Sequence, residues 1–356
     1  MSKFISKRLS SMVPYVPGEQ PRERTYIKLN TNESPFPPRP AVLEAARDAA
    51  ATCHLYSDPE VTALTAAIAE RYGVGAENVL VTNGSDEILN FFFMTFCDGE
   101  SGVAYPDISY GFYSVFAGLY NLPATVIPLD EELNIRVEDW LDRNTNLVFA
   151  NPNAPTGRYL PPAEVERIVA SNRERVVVVD EAYIDFGGET VAPLTKKYDN
   201  LLVTGTFSKS RALAGGRVGF GIGDASLIAA LKQVKYSTNP YNVNSVSAAM
   251  ALAALREDPV YMERCRTVME NRAFVTEGLT ALGFTVIPSM ANFVFAKSEA
   301  VGGEELYLRL KGRGILVRHF KNPRIKDYNR ITVGSREQME ALLEAVQEIV
   351  KEEYHA

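Results

Sequence analysis

The stretch RVVVVDEAY, residues 175–183, sets four consecutive valines before two carboxylates and a tyrosine. A run so apolar keeps no face for water. As a strand it must be covered on both sides, which is the position of an interior strand in a parallel sheet with helices above and below. Four more runs share this character: NVLVT (78–82), GVAYP (102–106), LVFAN (147–151) and NLLVTG (200–205). Helical segments separate them. The pattern predicts an α/β fold whose large domain, residues 31–245, has a mainly parallel central sheet flanked by helices. Ligands bind such sheets outside the carboxyl ends of the strands, so Asp180 stands at a ligand crevice. Its carboxylate, at the mouth of an apolar strand, needs a cation or a donor facing it.

Outward from the sheet, residues 1–30 form an N-terminal arm, and the proline-dense SPFPPRP (34–40) predicts extended chain before a helix at about 41–52. The next helix is marked by Asp58 as cap, Pro59 in the first turn, a face of Val61, Leu64, Ile68 and Tyr72, and Gly73 as its end. Beyond residue 245 a long helical region reaches about 282. It leads into FTVIP, NFVFA, GILVR and RITVG, and Ser335 with Gln338 reads as a capping box for a last helix. Residues 246–356 are thus expected to form a smaller α+β domain.

Composition narrows the function. A net charge of −7 and the absence of a basic stripe argue against nucleic acid, and no apolar run is long enough for a membrane span. The opening MSKFISKRLSSMVPYVPG carries basic clusters without the apolar core of a signal peptide, so a cytoplasmic protein is expected. Cys53, Cys97 and Cys265 are odd in number and far apart, and His54, His319 and His355 have no metal-ligand spacing. No metal is expected.

The other strand ends carry chemistry too. After NVLVT comes Asn83-Gly84-Ser85-Asp86 and an apolar helix, whose free amides and dipole suit a phosphate. After LVFAN comes the turn NPNAPTGRYL, which could present Asn151 or Asn153 to a ligand. In TGTFSKSRALAGGRVGF (204–220), Lys209 lies between hydroxyls and a Gly-Gly-Arg turn. A phosphate cradle, an acid, hydroxyls and a lysine at one sheet edge are what pyridoxal phosphate requires: the aldehyde takes a lysine Schiff base, the ring nitrogen an acid, the phosphate a helix start. On this reading Lys209 carries the cofactor, Ser208 and Arg217 grip its phosphate, and Gly215 and Gly216 let the backbone turn close by.

The segments LNTNESP, NPNAPTG, DEAYIDF and TFSKSRALAGGRVGF, in this order and spacing, resemble the aspartate aminotransferase superfamily, and most closely its histidinol-phosphate aminotransferase family. The likeness runs from about Tyr15 to Gly334. It implies that Lys209 holds the cofactor covalently, Asp180 pairs with the pyridinium nitrogen and Tyr183 bonds the ring hydroxyl. Gly84, Ser85, Thr206, Ser208 and Arg217 would hold the phosphate, with Asp86 beside the cradle and Tyr110 stacked on the ring. The asparagine that the pattern has before Pro-Thr-Gly is Ala154 here, so Asn153 or Asn151 serves the ring oxygen instead, or that bond is absent; Asn153 is the candidate. Tyr56 resembles the tyrosine that reaches the neighbouring subunit's phosphate site, which implies a homodimer with shared sites.

The same resemblance implies transamination between histidinol phosphate and 2-oxoglutarate, with Tyr15, Asn32, Arg318 and Arg330 at the substrate. Two arginines suit a pocket that must accept both a phosphate ester and a dicarboxylate. Relatives that use aromatic amino acids or decarboxylate threonine phosphate share most of these residues. A non-catalytic pyridoxal-phosphate-binding protein is the alternative of another class.

Overall fold

The structure, a computed structural model, describes residues 2–6, 9–10 and 12–354, the side chain of residue 354 excepted. His355 lies outside the described residues. The arm ends in a short strand, β1 (Ile27–Lys28), paired in parallel with Ile315–Leu316 of the C-terminal part. Helices α1 (Pro40–Ala50) and α2 (Thr62–Tyr72) follow.

Seven strands build the main sheet: β2 (Val79–Thr82), β3 (Val103–Pro106), β4 (Ala124–Ile127), β5 (Asn146–Ala150), β6 (Val177–Asp180), β7 (Leu201–Thr206) and β8 (Gly219–Gly223). Their order is β2-β8-β7-β6-β5-β3-β4, parallel except for β8, which runs against both neighbours. The valine run shows why the sheet needs two covers. Val177 and Val179 enter one core with Leu64, Ile68, Val165 and Ile168, whereas Val176 and Val178 enter another with Ile88, Phe92, Phe116 and Leu231. The helices supplying these layers are α2 and α5 (Pro162–Ser171) on one face, and α3 (Ser85–Phe96), α4 (Phe112–Tyr120) and α6 (Ala225–Thr238) on the other. Each strand residue alternates sides, as a pleated chain must.

Helices α7 (Ser245–Arg256) and α8 (Asp258–Ala281) come next. A four-stranded antiparallel sheet then joins β9 (Phe284–Ile287), β10 (Phe293–Ser298), β12 (Arg318–His319) and β13 (Tyr328–Thr332) in the order β12-β13-β10-β9. Between them lie α9 (Gly303–Gly312) and β11 (Ile315–Leu316), the partner of β1, and α10 (Arg336–Tyr354) closes the chain. The expected capping box is present: Ser335 N donates to Gln338 Oε1 at 2.9 Å and Gln338 N to Ser335 Oγ at 3.3 Å. Ala251, Ala254 and Tyr261 still pack in the core of the main sheet. We therefore place the division between the two domains within α8 rather than at residue 245.

Three local expectations are corrected. Helix α2 starts at Thr62, with Pro59 in the preceding turn, because Asp58 accepts from Glu60 N and Thr62 N at 2.9 and 2.8 Å and so caps a turn ahead of the helix. Strands β4 and β8 were not expected from the sequence. Gly215 and Gly216 are not the residues that bend the lysine turn; Ala212 and Arg217 are, with φ of 56° and 53°.

Glycine matters instead at position 219. A Cβ there would lie 2.2 Å from Ser85 N and 2.4 Å from Gly84 C, so only a bare backbone lets the start of α3 press against β8. Gly219→Ala should cost about 1–3 kcal/mol in urea unfolding, the range for overpacking. Gly215→Ala, whose Cβ meets nothing within 4 Å, should stay within about 0.5 kcal/mol of wild type.

Candidate active site

The carboxyl ends of β5, β6 and β7 lie level, with Ala150 paired to Asp180 and Asp180 to Thr204. Outside them is a cavity of about 120 Å³ lined by Ser85, Asp86, Tyr110, Ala154, Asp180, Tyr183, Thr206, Ser208, Lys209 and Arg217, among others. Ten separate sequence expectations thus converge on one space, Ala154 included as the departure from pattern.

Asp180 is buried at the strand end. Tyr113 donates to its Oδ2 at 3.1 Å and Ala182 N to its Oδ1 at 3.3 Å. Burial outweighs these donors, and the nearby Asp86 adds to it, so the carboxyl pKa is pushed up to about 7. The neighbouring Glu181 is likewise raised by burial, to about 8, although Thr190 and Val191 N both donate to it. Tyr183 lies in the turn that follows. Its hydroxyl accepts from Asn32 Nδ2 at 2.9 Å, and Asn32 Oδ1 in turn accepts from Thr332 Oγ1 at 3.0 Å. Asn32 is buried in a left-handed conformation, φ 57°.

Lys209 Nζ donates to Thr31 O at 3.2 Å and stands 5.8 Å from the centre of the Tyr183 ring. Its loop is anchored from behind. Ser210 Oγ and Arg211 both donate to Asp185, at 2.6 and 3.0 Å, while buried Arg211 also pairs with Asp258 at the start of α8. Arg71 of α2 completes the quartet by pairing with Asp258 and, at 3.5 Å, with Asp185. The lysine turn is thereby tied to the segment that carries Tyr183.

The anion cradle forms where α3 begins. Gly84 takes φ 78°, and a Cβ on it would meet Arg217 Nη2 at 2.5 Å. Thr206 Oγ1 lies 3.0 Å from Ser208 Oγ, and Arg217 reaches Asp86 at 3.1 Å. Asp86 also accepts from the Tyr110 hydroxyl at 2.7 Å, so it joins the cradle to the aromatic wall rather than only capping the helix. Tyr15 of the arm stacks on Phe112 with centroids 4.5 Å apart and lies 6.2 Å from Tyr110.

Arg330 is held over Phe293 and Phe320, with Nη2 donating to Asn30 O at 3.0 Å. Its Nε is buried without a hydrogen-bond partner among the described residues, and burial lowers its pKa from the ordinary guanidinium value. Arg318 donates to the carbonyls of Pro17 and Val16 at 3.2 and 3.1 Å, pinning the arm.

Asn153 and Asn151 do not line the cavity. Asn153 spends its side chain on tying its turn to the loop after β3: the amide donates to Ile108 O and Thr156 Oγ1, both at 3.0 Å, and Oδ1 accepts from Ser109 at 2.7 Å. Asn151 is likewise bonded to Leu160 O and N. Tyr56 is exposed and stacks on Tyr241, centroids 4.6 Å apart, away from the cavity. Two residues were missed. Tyr113 reads as one aromatic in a crowd of them, and Gly219 lies in a strand whose glycines hide it. No group of three or more His, Cys, Asp or Glu among the described residues could hold a metal ion.

The donor set fits the expected cofactor. A buried acid lacks a cation, a lysine meets only a carbonyl, and a glycine cradle with an arginine is closed to any Cβ. The aminotransferase class I and II family model matches residues 24–346. The chain belongs to that family. More particularly, it is 47% identical to histidinol-phosphate aminotransferase 2 of Dechloromonas aromatica over 98% of this chain and 99% of that one. It is 48% identical to histidinol-phosphate aminotransferase 2 of Thiobacillus denitrificans over 97% of each. Among solved structures it resembles the histidinol-phosphate aminotransferase of Sinorhizobium meliloti in complex with pyridoxal-5'-phosphate, with a TM-score of 0.90 at 23% identity over 99% of both chains. It also resembles Thermus thermophilus aspartate aminotransferase with maleate, at 0.83 and 22%, over 98% of this chain and all of the other.

The raised pKa of Asp180 has a consequence for the cofactor-free protein. The folded chain holds a proton that the unfolded chain releases above 3.8, so the stability this group leaves intact at acid pH is lost as pH climbs to about 7. Asp180→Asn removes that loss. In urea unfolding without cofactor, the variant should gain on wild type from pH 4 to pH 8; a difference independent of pH would contradict the assignment.

Proposed function

We propose that the protein transfers the amino group of L-histidinol phosphate to 2-oxoglutarate, giving imidazole acetol phosphate and L-glutamate, with pyridoxal 5'-phosphate as cofactor. The observation that carries this is the conjunction of near full-length identity of 47–48% to histidinol-phosphate aminotransferases with Lys209, Asp180 and Tyr183 lining one cavity and Arg330 near enough to Tyr183 for their charges to interact. When bound, the cofactor supplies an electron sink that acidifies the α-carbon of the amino substrate.

In this reading the chain's residues divide the work. Lys209 Nζ would hold the cofactor and would take and return the α-proton of the substrate. Asp180 keeps the ring nitrogen protonated, and Tyr183 serves the ring oxygen with Asn32 and Thr332 behind it, in place of Asn153. Gly84, Ser85, Thr206, Ser208 and Arg217 hold the phosphate, beside Asp86, and Tyr110 covers the ring. Arg330, whose Nε is unpaired, receives the substrate carboxylate or phosphate by charge-assisted bonds. Arg318 and Tyr15 complete the anion pocket when the arm's carbonyls give way to a charged acceptor.

We further propose that the enzyme is a cytoplasmic homodimer. Leu55, Tyr56 and Tyr241 are exposed apolar groups at one edge, a surface suited to a second copy, and Tyr56 would reach the partner's phosphate site from it. No helix among the described residues is long and apolar enough to cross a membrane.

Single-turnover absorbance separates the substrates. The cofactor band should decay faster with histidinol phosphate than with phenylalanine; the reverse order would replace the assignment by an aromatic aminotransferase, and release of carbon dioxide from threonine phosphate by a decarboxylase. Borohydride should fix the cofactor on Lys209 and nowhere else. Arg330→Lys should lower kcat/KM for histidinol phosphate about 10- to 100-fold, the loss of one or two charge-assisted bonds, while cofactor remains bound.

A further inference from the structure

We infer that Tyr113 is a positioning residue for the reaction: its phenol holds the Asp180 carboxylate in one orientation and sets how readily that carboxylate takes a proton. The inference deepens the assignment of Asp180 to the cofactor's ring nitrogen and rests on it. Tyr113 is fully buried on α4, beneath the cavity floor. Its hydroxyl donates to Asp180 Oδ2 at 3.1 Å, and it is the one side-chain donor to that carboxylate among the described residues. The other oxygen has only Ala182 N, at 3.3 Å. Without the phenol, one Asp180 oxygen would have no donor from the chain.

The ring that carries this hydroxyl is held in place. Tyr113 meets Tyr110 edge-on, with centroids 5.8 Å apart and planes at 85°, and Tyr110 is fixed by its own hydrogen bond to Asp86. Two tyrosines are thus braced between two carboxylates, one at the phosphate cradle and one at the ring end of the cavity. Burial and the adjacent Asp180 hold the Tyr113 phenol well above its usual pKa, so it remains a donor across the working range. The groups that bear on Asp180 from every side are Tyr113 on α4, Asp86 on α3, Lys209 on its loop, Tyr110, and the adjoining Glu181. Asp86 opposes ionisation, whereas Lys209 and Tyr113 favour it. Of the favourable two, Lys209 is engaged by the cofactor. Tyr113 is then the side chain that favours the charged acid in both states, beside the Ala182 amide.

The test is equilibrium binding of pyridoxal phosphate to cofactor-free protein over a series of pH values. Tyr113→Phe removes one oxygen and keeps the ring. Because the cofactor's own ionisations are common to both proteins, the difference between them reports Asp180. Affinity should fall off on the acid side at a pH about one unit higher in Tyr113→Phe than in wild type. In an Asp180→Asn background the same change should leave the profile unmoved. A Tyr113→Phe profile that coincides with wild type overturns the inference, as does an equal shift with and without Asp180, which would mark Tyr113 as packing only. Should Asp180→Asn by itself leave the wild-type profile intact, the assignment of Asp180 fails and this inference with it. A measurement on the unaltered side chain guards against a variant that does not fold. With carbon-labelled phenol, the Tyr113 resonance of the wild type should follow the titration of Asp180 and lose that step in Asp180→Asn; a resonance indifferent to Asp180 overturns the inference.

Discussion

A carboxylate at the end of a strand apolar on both faces sets the terms for the whole site. The valines that make β6 an interior strand also strip water from Asp180, and the chain returns only a phenol and a distant backbone amide. Burying an acid with so little compensation favours its neutral form. The cost of desolvation is thereby met during folding, before any ligand arrives. A cation placed against Asp180 would meet an acceptor largely shielded from bulk solvent, and for that reason a protonated ring nitrogen would be worth more here than at the surface.

The paired charges nearby show the contrast. Arg71, Arg211, Asp185 and Asp258 neutralise one another within a few ångströms of the lysine loop. Arg211 is the buried member, and loss of either carboxylate would take away part of its compensation, so the quartet is a strut. It fastens the residues after Lys209 to the segment after Tyr183 and to the first turn of α8. The four charges of the strut pair with one another, whereas among the described residues Asp180 and Arg330 have no ion-pair partner.

That distinction also explains what the sequence could and could not reveal. Strands β2, β3, β5, β6 and β7 were legible because both of their faces are buried and every residue is therefore apolar. Strand β4 was not, since three of its four residues are exposed, and β8 was not, since GFGIG has glycine where a pattern needs side chains. The cluster at the cavity followed from strand ends and a recognisable motif order. Asn153 instead gives its side-chain bonds to Ile108, Ser109 and Thr156, and such hydrogen bonding between two loops is detail that spacing does not encode. Tyr113 was hidden for the opposite reason: a fully buried aromatic reads as core, and only the position of its oxygen gives it another part.

The site lies on the seam between two cores, and this is the source of its rigidity. Tyr183 and Ala154 come from loops of the main sheet, yet they pack in the same cluster as Leu29 of the arm, Phe293 and Ile331 of the smaller sheet, and Val317 beside it. Asn32, held by Thr332 of β13, then fixes the Tyr183 hydroxyl. Tyr183, Asp180 and Arg217 are thus oriented by neighbours that belong to different elements, Asn32, Tyr113 and Asp86. A loop residue positioned in this way loses its conformational freedom to the scaffold rather than to the ligand. The arm cannot be treated as an appendage in such an arrangement, since without residues 29–32 the tyrosine at the centre of the seam would lose both its packing and its hydrogen-bond donor.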